Sequence, residues 1–338
     1  MLTAALIGLP QSGKTTFFQV LTDKSPGRGG ELARAVVPVA DPRLARLEGA
    51  FHPRKVTPAQ IAFIDVPGFG EGQAKRFLAD IRDTDLLVEV VAAFPGSSPD
   101  PDTAAETIGL ELTVADLDSV ERRLQRLSKG RLAPGEDVEK AALEKLAPHL
   151  SEGRPIRQAG LAKEELASLR SLALLTVKPL IFVLNAGEDG RPPVDANEFG
   201  RRHAGAVLTA SAEMEREIAE LEAAERDEFL QSMGFEESGV DRLTRTAYRH
   251  LGLISFLTAG EDEVRAWTVT DGTSAREAAG KIHSDIERGF IRAEVVAYDD
   301  FVASGLSMQT AKESGLWRLE GKEYVVQDGD IINFRFNA

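Results

Sequence analysis

The chain opens on a short apolar run, Ala4 to Ile7, that stops at a glycine. Similar runs follow at Ile61 to Val66, Leu86 to Val91, Leu180 to Leu184 and Ala206 to Leu208. Runs this short, with few polar interruptions, predict strands buried on both faces. Thr15 to Leu21 and Ala74 to Ile81 carry apolar residues at helical spacing between them. Strand and helix in alternation predict an α/β domain with a mostly parallel sheet and helices on both faces.

After about Leu110 the period changes. Leu117, Val120, Leu124 and Leu127 recur three and four residues apart, with charged residues between them. Leu143, Leu146 and Leu150 repeat the theme, and Leu166, Leu169 and Leu172 extend it. This is a helical seam without strand signals. Gly130 to Gly135, with Pro134, breaks the first helix from the second. An antiparallel helical hairpin inserted into the α/β domain accounts for the sheet pattern resuming at Leu180. From about Phe256 the pattern changes again. Val264 to Val269, Phe290 to Val296, Glu323 to Val326 and Ile331 to Phe336 read as strands. Ser274-Ala-Arg-Glu277 reads as a capping box that starts one helix. The expected domains are therefore 1–109 with 176–255, an inserted hairpin over 110–175, and a small α+β domain over 256–338.

Composition narrows the function. The chain is 43% hydrophobic and 28% charged, an ordinary globular balance, and it has no cysteine, which excludes disulfides and thiolate metal sites. The apolar start lacks a basic flank and stops at Gly8, and the apolar stretch Leu172 to Leu184 is interrupted by Lys178 and Pro179. No membrane span is expected, and the location expected is the cytoplasm. A net charge of −14 argues against binding nucleic acid through the whole surface. The segment 110–175 balances 11 basic against 11 acidic residues, whereas 258–338 carries 9 against 15, a net of −6. The hairpin is thus the less acidic of the two. Arg122, Arg123, Arg126, Lys129 and Arg131 cluster near its tip, either as a solvated helix face or as a contact for RNA phosphates.

The chemistry begins at Gly8-Leu-Pro10-Gln11-Ser12-Gly13-Lys14-Thr15, which fits G-x-x-x-x-G-K-[ST] between a strand and a helix. Glycines let the backbone wrap a phosphate with its N–H groups pointing inward, and the helix N-terminus adds positive potential there. Lys14 supplies a compact charge to β- and γ-phosphates, the backbone from Gln11 to Thr16 cradles them, and the Thr15 hydroxyl suits Mg²⁺. Asp65-Val-Pro-Gly68 ends a neighbouring strand, where Asp65 would serve Mg²⁺ and Gly68 would donate its N–H to a γ-phosphate. Asn185-Ala186-Gly-Glu188 stands where guanine-specific proteins carry Asn-Lys-x-Asp. The lysine is replaced by alanine and the aspartate by glutamate, so guanine recognition is impaired, while an asparagine can still serve an adenine edge. Ser211-Ala212-Glu213 resembles the loop that backs the base. The histidines (His52, His149, His203, His250 and His283) show no metal-ligand spacing and read as structural.

With these motifs in this order the chain resembles the YchF, or Obg-like ATPase, family of P-loop NTPases over nearly its whole length. The most family-specific strings are C-terminal: Glu263-Val-Arg-Ala-Trp-Thr268, His283 through Ala293, Gly321 through Asp330, and Phe334-Arg-Phe336. The resemblance implies a G domain, an inserted helical hairpin and a C-terminal TGS-type β-grasp domain. It further implies ATP in preference to GTP, Mg²⁺, and a ribosome or ribosomal RNA partner met by the hairpin and the TGS-like domain, with the chain acting as a monomer. Several family features are missing. Gln11-Ser12 replaces Asn-Val in the P-loop, the first switch is cut to Ser25 through Glu31, and no glycine-rich insert follows Gly68. Phe69 stands where many GTPases orient water with glutamine, and no histidine occurs from Ala92 to Asp102. All of these would organise water or metal at the γ-phosphate, so slow hydrolysis is expected, with binding less impaired than turnover. Two rivals stand beside this reading: a nucleotide-gated binding module without useful hydrolysis, and an ordinary GTPase.

Overall fold

The computed structural model describes residues 2–22, 32–67, 74–129, 132–188 and 190–337. Its elements run β1 (Thr3–Ile7), α1 (Lys14–Thr22), β2 (Ala33–Pro38), α2 (Pro42–Phe51), β3 (Lys55–Thr57) and β4 (Gln60–Asp65). Next come α3 (Ala74–Arg82), β5 (Leu86–Ala93), α4 (Pro101–Leu127), α5 (Glu136–Ser151) and α6 (Lys163–Ser168). Then follow β6 (Leu180–Ala186), α7 (Ala196–His203), β7 (Ala206–Ala210), α8 (Ala212–Glu220), α9 (Ala223–Ser232) and α10 (Gly239–His250). The C-terminal part holds β8 (Leu253–Ala259), β9 (Glu263–Thr270), α11 (Ala275–Ile282), α12 (Ser284–Arg288) and β10 (Phe290–Ala297). It ends with α13 (Tyr298–Ala303), α14 (Met308–Glu313), β11 (Arg318–Glu320) and β12 (Asp330–Phe336). Two compact units emerge: Met1–Val36 with Ala62–Leu243, and Val37–Ile61 with Thr244–Ala338. Among the described residues, no helix is long and apolar enough to cross a membrane.

The first unit is built on a sheet of order β2-β4-β1-β5-β6-β7, in which β1 pairs in parallel with β4 and β5, and β6 with β5 and β7. Every residue of β1 is buried, as its unbroken apolar pattern requires. One face packs Leu87, Val91, Phe182 and Leu184 against Phe77 and Ile81 of α3 and Phe199 of α7. Lys178, which interrupts the apolar stretch before β6, is itself buried. Its ammonium donates to the Ile81 carbonyl at 2.7 Å and the Arg82 carbonyl at 2.6 Å, and also to that of Thr84. It satisfies the last carbonyls of α3, where a cation is electrostatically favoured.

The helix α4 explains why the sequence pattern shifts near Leu110. It begins earlier, at Pro101, capped by Asp100, whose side chain accepts from Thr103 N. Ala104, Ala105, Ile108 and Leu112 face the sheet core. Val120 and Leu127 lie instead in a separate core with Leu143, Leu146 and Leu150 of α5, and Leu117 and Leu124 pack against it. One continuous helix therefore serves two cores, and the α4–α5 hairpin is antiparallel. The third leucine group is not one regular helix, because α6 is short and a 3₁₀ turn, Arg170–Leu172, follows it. Asp116, fully buried, ties α4 to the segment leading into β6. Its carboxylate accepts from Leu175 N at 2.8 Å and from Thr176 N and Oγ1 at 2.7 Å each. Burial pushes this carboxyl up, and the three hydrogen bonds oppose that.

The second unit carries a sheet of order β11-β10-β12-β8-β9-β3. Residues 37–61, expected in the nucleotide-binding domain, fall here: β3 pairs in parallel with the edge of β9 through Lys55↔Glu263 and Thr57↔Arg265. A three-residue strand carries too little pattern to be seen in the sequence. The expected strand Glu323 to Val326 is only a single bridge, Ser274↔Val325, and α12, α13 and α14 join the one helix expected. That helix, α11, starts at the expected capping box, with Ser274 and Glu277 bonding reciprocally. Its Ala275, Ala278 and Ala279 pack on Phe256, Val269, Val295 and Ile332.

Replacing Asp116 by alanine strands two buried amides and one hydroxyl. A loss of about 3 kcal/mol in urea-unfolding stability is expected, and an unchanged midpoint would refute the anchoring role.

Candidate functional site

β1 delivers the chain to the carboxyl edge of the first sheet, where the loop from Gly8 to Gly13 turns it into α1. The turn closes with Ser12 N donating to the Leu9 carbonyl at 3.2 Å, and Phe17 N returns to the Gly13 carbonyl at 3.0 Å. Gln11 and Gly13 both adopt left-handed backbone, with φ of 65° and 90°. At Gly13 no side chain fits, because an added Cβ would collide with the carboxamide nitrogen of Asn185. The helix therefore starts at Lys14 with the first-turn N–H groups of Lys14, Thr15 and Thr16 beyond the reach of any preceding helical carbonyl. The Thr15 side chain is exposed at this end, and Lys14 is buried.

The ammonium of Lys14 pairs with the carboxylate of Asp65, the last residue of β4. Parallel pairing of β1 with β4 sets Leu6 beside Asp65, so the acid reaches the loop that follows β1. The group expected to grip phosphates and the group expected to serve a metal thus neutralise one another in this structure. Gly68 and Phe69 lie outside the described residues, as do Ser25 to Glu31 and Arg131.

Asn185 lies inside β6, not after it, and is buried. Its amide nitrogen donates to the Ser12 carbonyl at 2.9 Å, and its oxygen accepts from Ala212 N at 2.9 Å. One carboxamide thus joins the phosphate-binding loop to the segment at the start of α8. Ala186 is buried, while Glu188 is exposed on the turn beyond the strand. The Ser211 hydroxyl caps α8 by accepting from Met214 N at 3.3 Å, and Glu213 pairs with Arg216. The side chains of Asn185, Ser211 and Glu213 therefore each hold protein structure in place. The five histidines have structural surroundings of the same kind where partners occur: His203 bonds Asp102 at 2.7 Å, His149 the Pro155 carbonyl at 3.0 Å, and His283 accepts from Asp285 N at 3.1 Å.

The basic cluster at the hairpin divides in two. Arg123 turns inward and bonds Glu139 of α5 at 2.7 and 2.8 Å and Glu136 at 3.0 Å, locking the two helices together. Arg122 and Arg126, four residues apart on one face of α4, and Lys129 in the turn just past its end are exposed, with Asp118 paired to Arg122 at 2.6 Å.

Glu89 is the site's unexpected member. It replaces an apolar residue in the middle of β5, directly beside Ile7 of β1, and is 1% exposed. Its Oε1 has no hydrogen-bond partner among the described residues, and neither does the buried Oγ of Ser12 in the phosphate-binding loop. Burial drives the Glu89 carboxyl well above the usual range, and the charge of Arg157 offsets only part of this. Arg157 is itself pushed down to about 10 by burial. A single acid within Leu86 to Ala93 was the available sequence signal.

Comparison with known proteins finds relatives over the whole length of the chain. Residues 253–337 match the family model YchF-GTPase_C, described as a protein of unknown function (DUF933). A Haemophilus influenzae protein named Ribosome-binding ATPase YchF is 43% identical over 98% of this chain and 98% of its own length. Its Bacillus subtilis namesake is 41% identical over the whole of both chains, 100% of each. The solved structure of the Schizosaccharomyces pombe YchF GTPase superposes with a TM-score of 0.88 at 29% identity, covering 99% of this chain and 97% of that one.

Two outcomes follow from the geometry. Because folded Glu89 keeps its proton at pH values where the unfolded chain releases it, this group's contribution to stability falls as pH rises above the ordinary value of 4.5. Glu89→Gln removes that slope. Its stability advantage over wild type in urea unfolding should widen from pH 5 to pH 8, and a constant difference would show the carboxyl is ionised when folded. Asn185→Ala unties Ser12 from Ala212 and should weaken triphosphate binding roughly tenfold, equivalent to about 1.4 kcal/mol. Unaltered affinity in a calorimetric titration would mean the bridge is not needed to shape the loop.

Proposed function

The chain belongs to the YchF family, and from that premise we propose that it binds ATP, hydrolyses it slowly, and uses its nucleotide state to regulate contact with ribosomes. The observation that carries the nucleotide reading is the placement of Lys14 at the first residue of α1, beside Asp65 and behind a glycine that only a bare backbone can fill. Lys14 would grip the β- and γ-phosphates, while amides from Gln11 to Thr16 that have no partner within the loop would surround them. The entering phosphates would draw Lys14 away from Asp65 and release that carboxylate. The Thr15 hydroxyl and the Asp65 carboxylate, both hard oxygen donors, would then hold Mg²⁺. Bound there, the ion supplies charge neutralisation at the phosphates. Gly68 would donate its amide to the γ-phosphate.

Preference for ATP rests on the departure from Asn-Lys-x-Asp. Ala186 is buried and offers no alkyl chain to cover a base, and Glu188 sits at the end of the motif in place of aspartate. Asn185 would orient the base while it holds the loop, with Ser211, Ala212 and Glu213 behind it. The names carried by the bacterial relatives, which call them ribosome-binding ATPases, support both ATP and the ribosome as partners. The hairpin would act as a short coiled coil presenting Arg122, Arg126 and Lys129 to RNA phosphates. Residues 253–337 would form the core of a TGS-like β-grasp domain that completes the contact. The protein would work as a cytoplasmic monomer.

Single-turnover assays with labelled ATP should show slow product formation by the wild type and none by Lys14→Ala. Equal rates would remove the enzyme reading. Tight binding without turnover, even with ribosomes added, would select a nucleotide-gated binding module in its place. GTP should compete poorly for labelled ATP, and a clear GTP preference would restore the ordinary GTPase.

A further inference from the structure

The second unit contains a cleft that the nucleotide reading does not use. It has a volume of about 350 Å³, within the usual range for small-molecule sites, and its lining residues all belong to that unit. Val39, Leu253 and Ile254 give it apolar walls, and its charged lining is Arg43, Arg245, Arg249, Asp41 and Asp328. Three guanidinium groups on one cleft are unusual in a chain of net charge −14.

Both carboxylates bond Arg43, and the three arginines and two aspartates of the lining leave one net positive charge. Asp41 takes Nε and Nη2 of Arg43 at 2.8 Å each, and Asp328 takes Nη1 at 2.9 Å and Nη2 at 3.3 Å. Asp328 also accepts from Ser255 N at 2.9 Å, and Asp41 caps α2 by accepting from Arg43 N at 3.0 Å. Gly329, at φ 88°, allows the guanidinium to approach, since an added Cβ would lie 2.7 Å from Nη1. The base of the cleft is equally fixed: the buried Tyr248 hydroxyl contacts the Ile254 carbonyl at 3.1 Å, Ser255 Oγ at 2.9 Å and Thr268 Oγ1 at 3.0 Å. Arg245 and Arg249 stand four residues apart on α10, hence on one face of the helix. Arg249 is exposed, and its guanidinium has no hydrogen bond or ion pair among the described residues.

We propose that this cleft is a second ligand site, which takes a small phosphate ester: Arg249 and Arg245 would meet the phosphate and the apolar walls would hold the organic part. Guanidinium groups match phosphate oxygens in charge and in planar, bidentate geometry, and the rigid Arg43–Asp41–Asp328 group leaves little to reorganise on binding. A short 5′-phosphorylated RNA presents the same chemistry, so it forms the competing arm of the test.

The full chain carrying Lys14→Ala, which silences the phosphate-binding loop, should bind AMP with one equivalent of heat in calorimetry. Adding Arg249→Glu should weaken that binding at least tenfold, with only a small fall in the thermal unfolding midpoint, because the guanidinium makes no hydrogen bond or ion pair among the described residues and loses only its place in the last turn of α10. No heat with Lys14→Ala protein, or equal affinity with and without Arg249→Glu, would overturn the proposal. Tighter binding of the phosphorylated RNA than of AMP would also overturn it, by making the cleft part of an RNA contact. Failure here leaves ATP binding by the wild type intact, and failure of ATP binding leaves this result readable.

Discussion

The carboxamide of Asn185 holds the nucleotide-binding geometry together. Buried in β6, it takes a hydrogen bond from the start of α8 and gives one to the loop between β1 and α1. The loop has left-handed backbone at Gln11 and Gly13, and such a segment needs its surroundings to dictate its shape. A neutral amide suits this task because it donates and accepts at once, and β6 holds it rigidly. Gly13 exists to make room for it. The loop's form thus depends on the ends of β1, β6 and β7 in one sheet as well as on the loop's own glycine.

Charge in the interior follows one pattern throughout. Lys178 is buried against three carbonyls and Asp116 against two amides and a hydroxyl, while the half-buried Arg43 lies between two carboxylates. Each satisfies backbone or side-chain groups that would otherwise be orphaned, which is the condition for burying charge at all. Glu89 breaks the pattern, and proton uptake is the remaining route to neutrality for a carboxyl so placed. Its pairing with Ile7 at the end of β1 puts that partly compensated group next to the start of the phosphate-binding loop.

The helix α4 shows how one element can mislead a reading by domains. Its first half belongs to the sheet and its second to the hairpin, so the seam seen from Leu117 onward is real while the boundary near Leu110 is not a structural break. The same helix sorts the basic cluster: the rotation of one residue, about 100°, sends Arg123 to Glu136 and Glu139 and leaves Arg122 and Arg126 outward. Composition placed these cations together, but only helix phase separates Arg123, which fastens the hairpin, from Arg122 and Arg126, which face solvent.

Much of the architecture was legible in residue order. Unbroken apolar runs specify doubly buried strands, and a glycine-rich turn ending in Gly13-Lys14-Thr15 specifies a helix start fit for phosphate, because both depend on neighbours within a few residues. The capping box at Ser274 to Glu277 was local in the same way and formed as expected. What tertiary structure alone decided is long-range. It placed β3 on a sheet whose other strands follow some two hundred residues later, and set Asp65 against Lys14. It also gathered three arginines from two distant segments into one cleft, tied Asn185 to Ser12 and Ala212, and left Oε1 of Glu89 without a hydrogen-bond partner among the described residues. None of these has a periodic signature, since a contact between remote residues is fixed by how the sheets stack and the helices rotate, and a linear pattern encodes only which face each residue prefers.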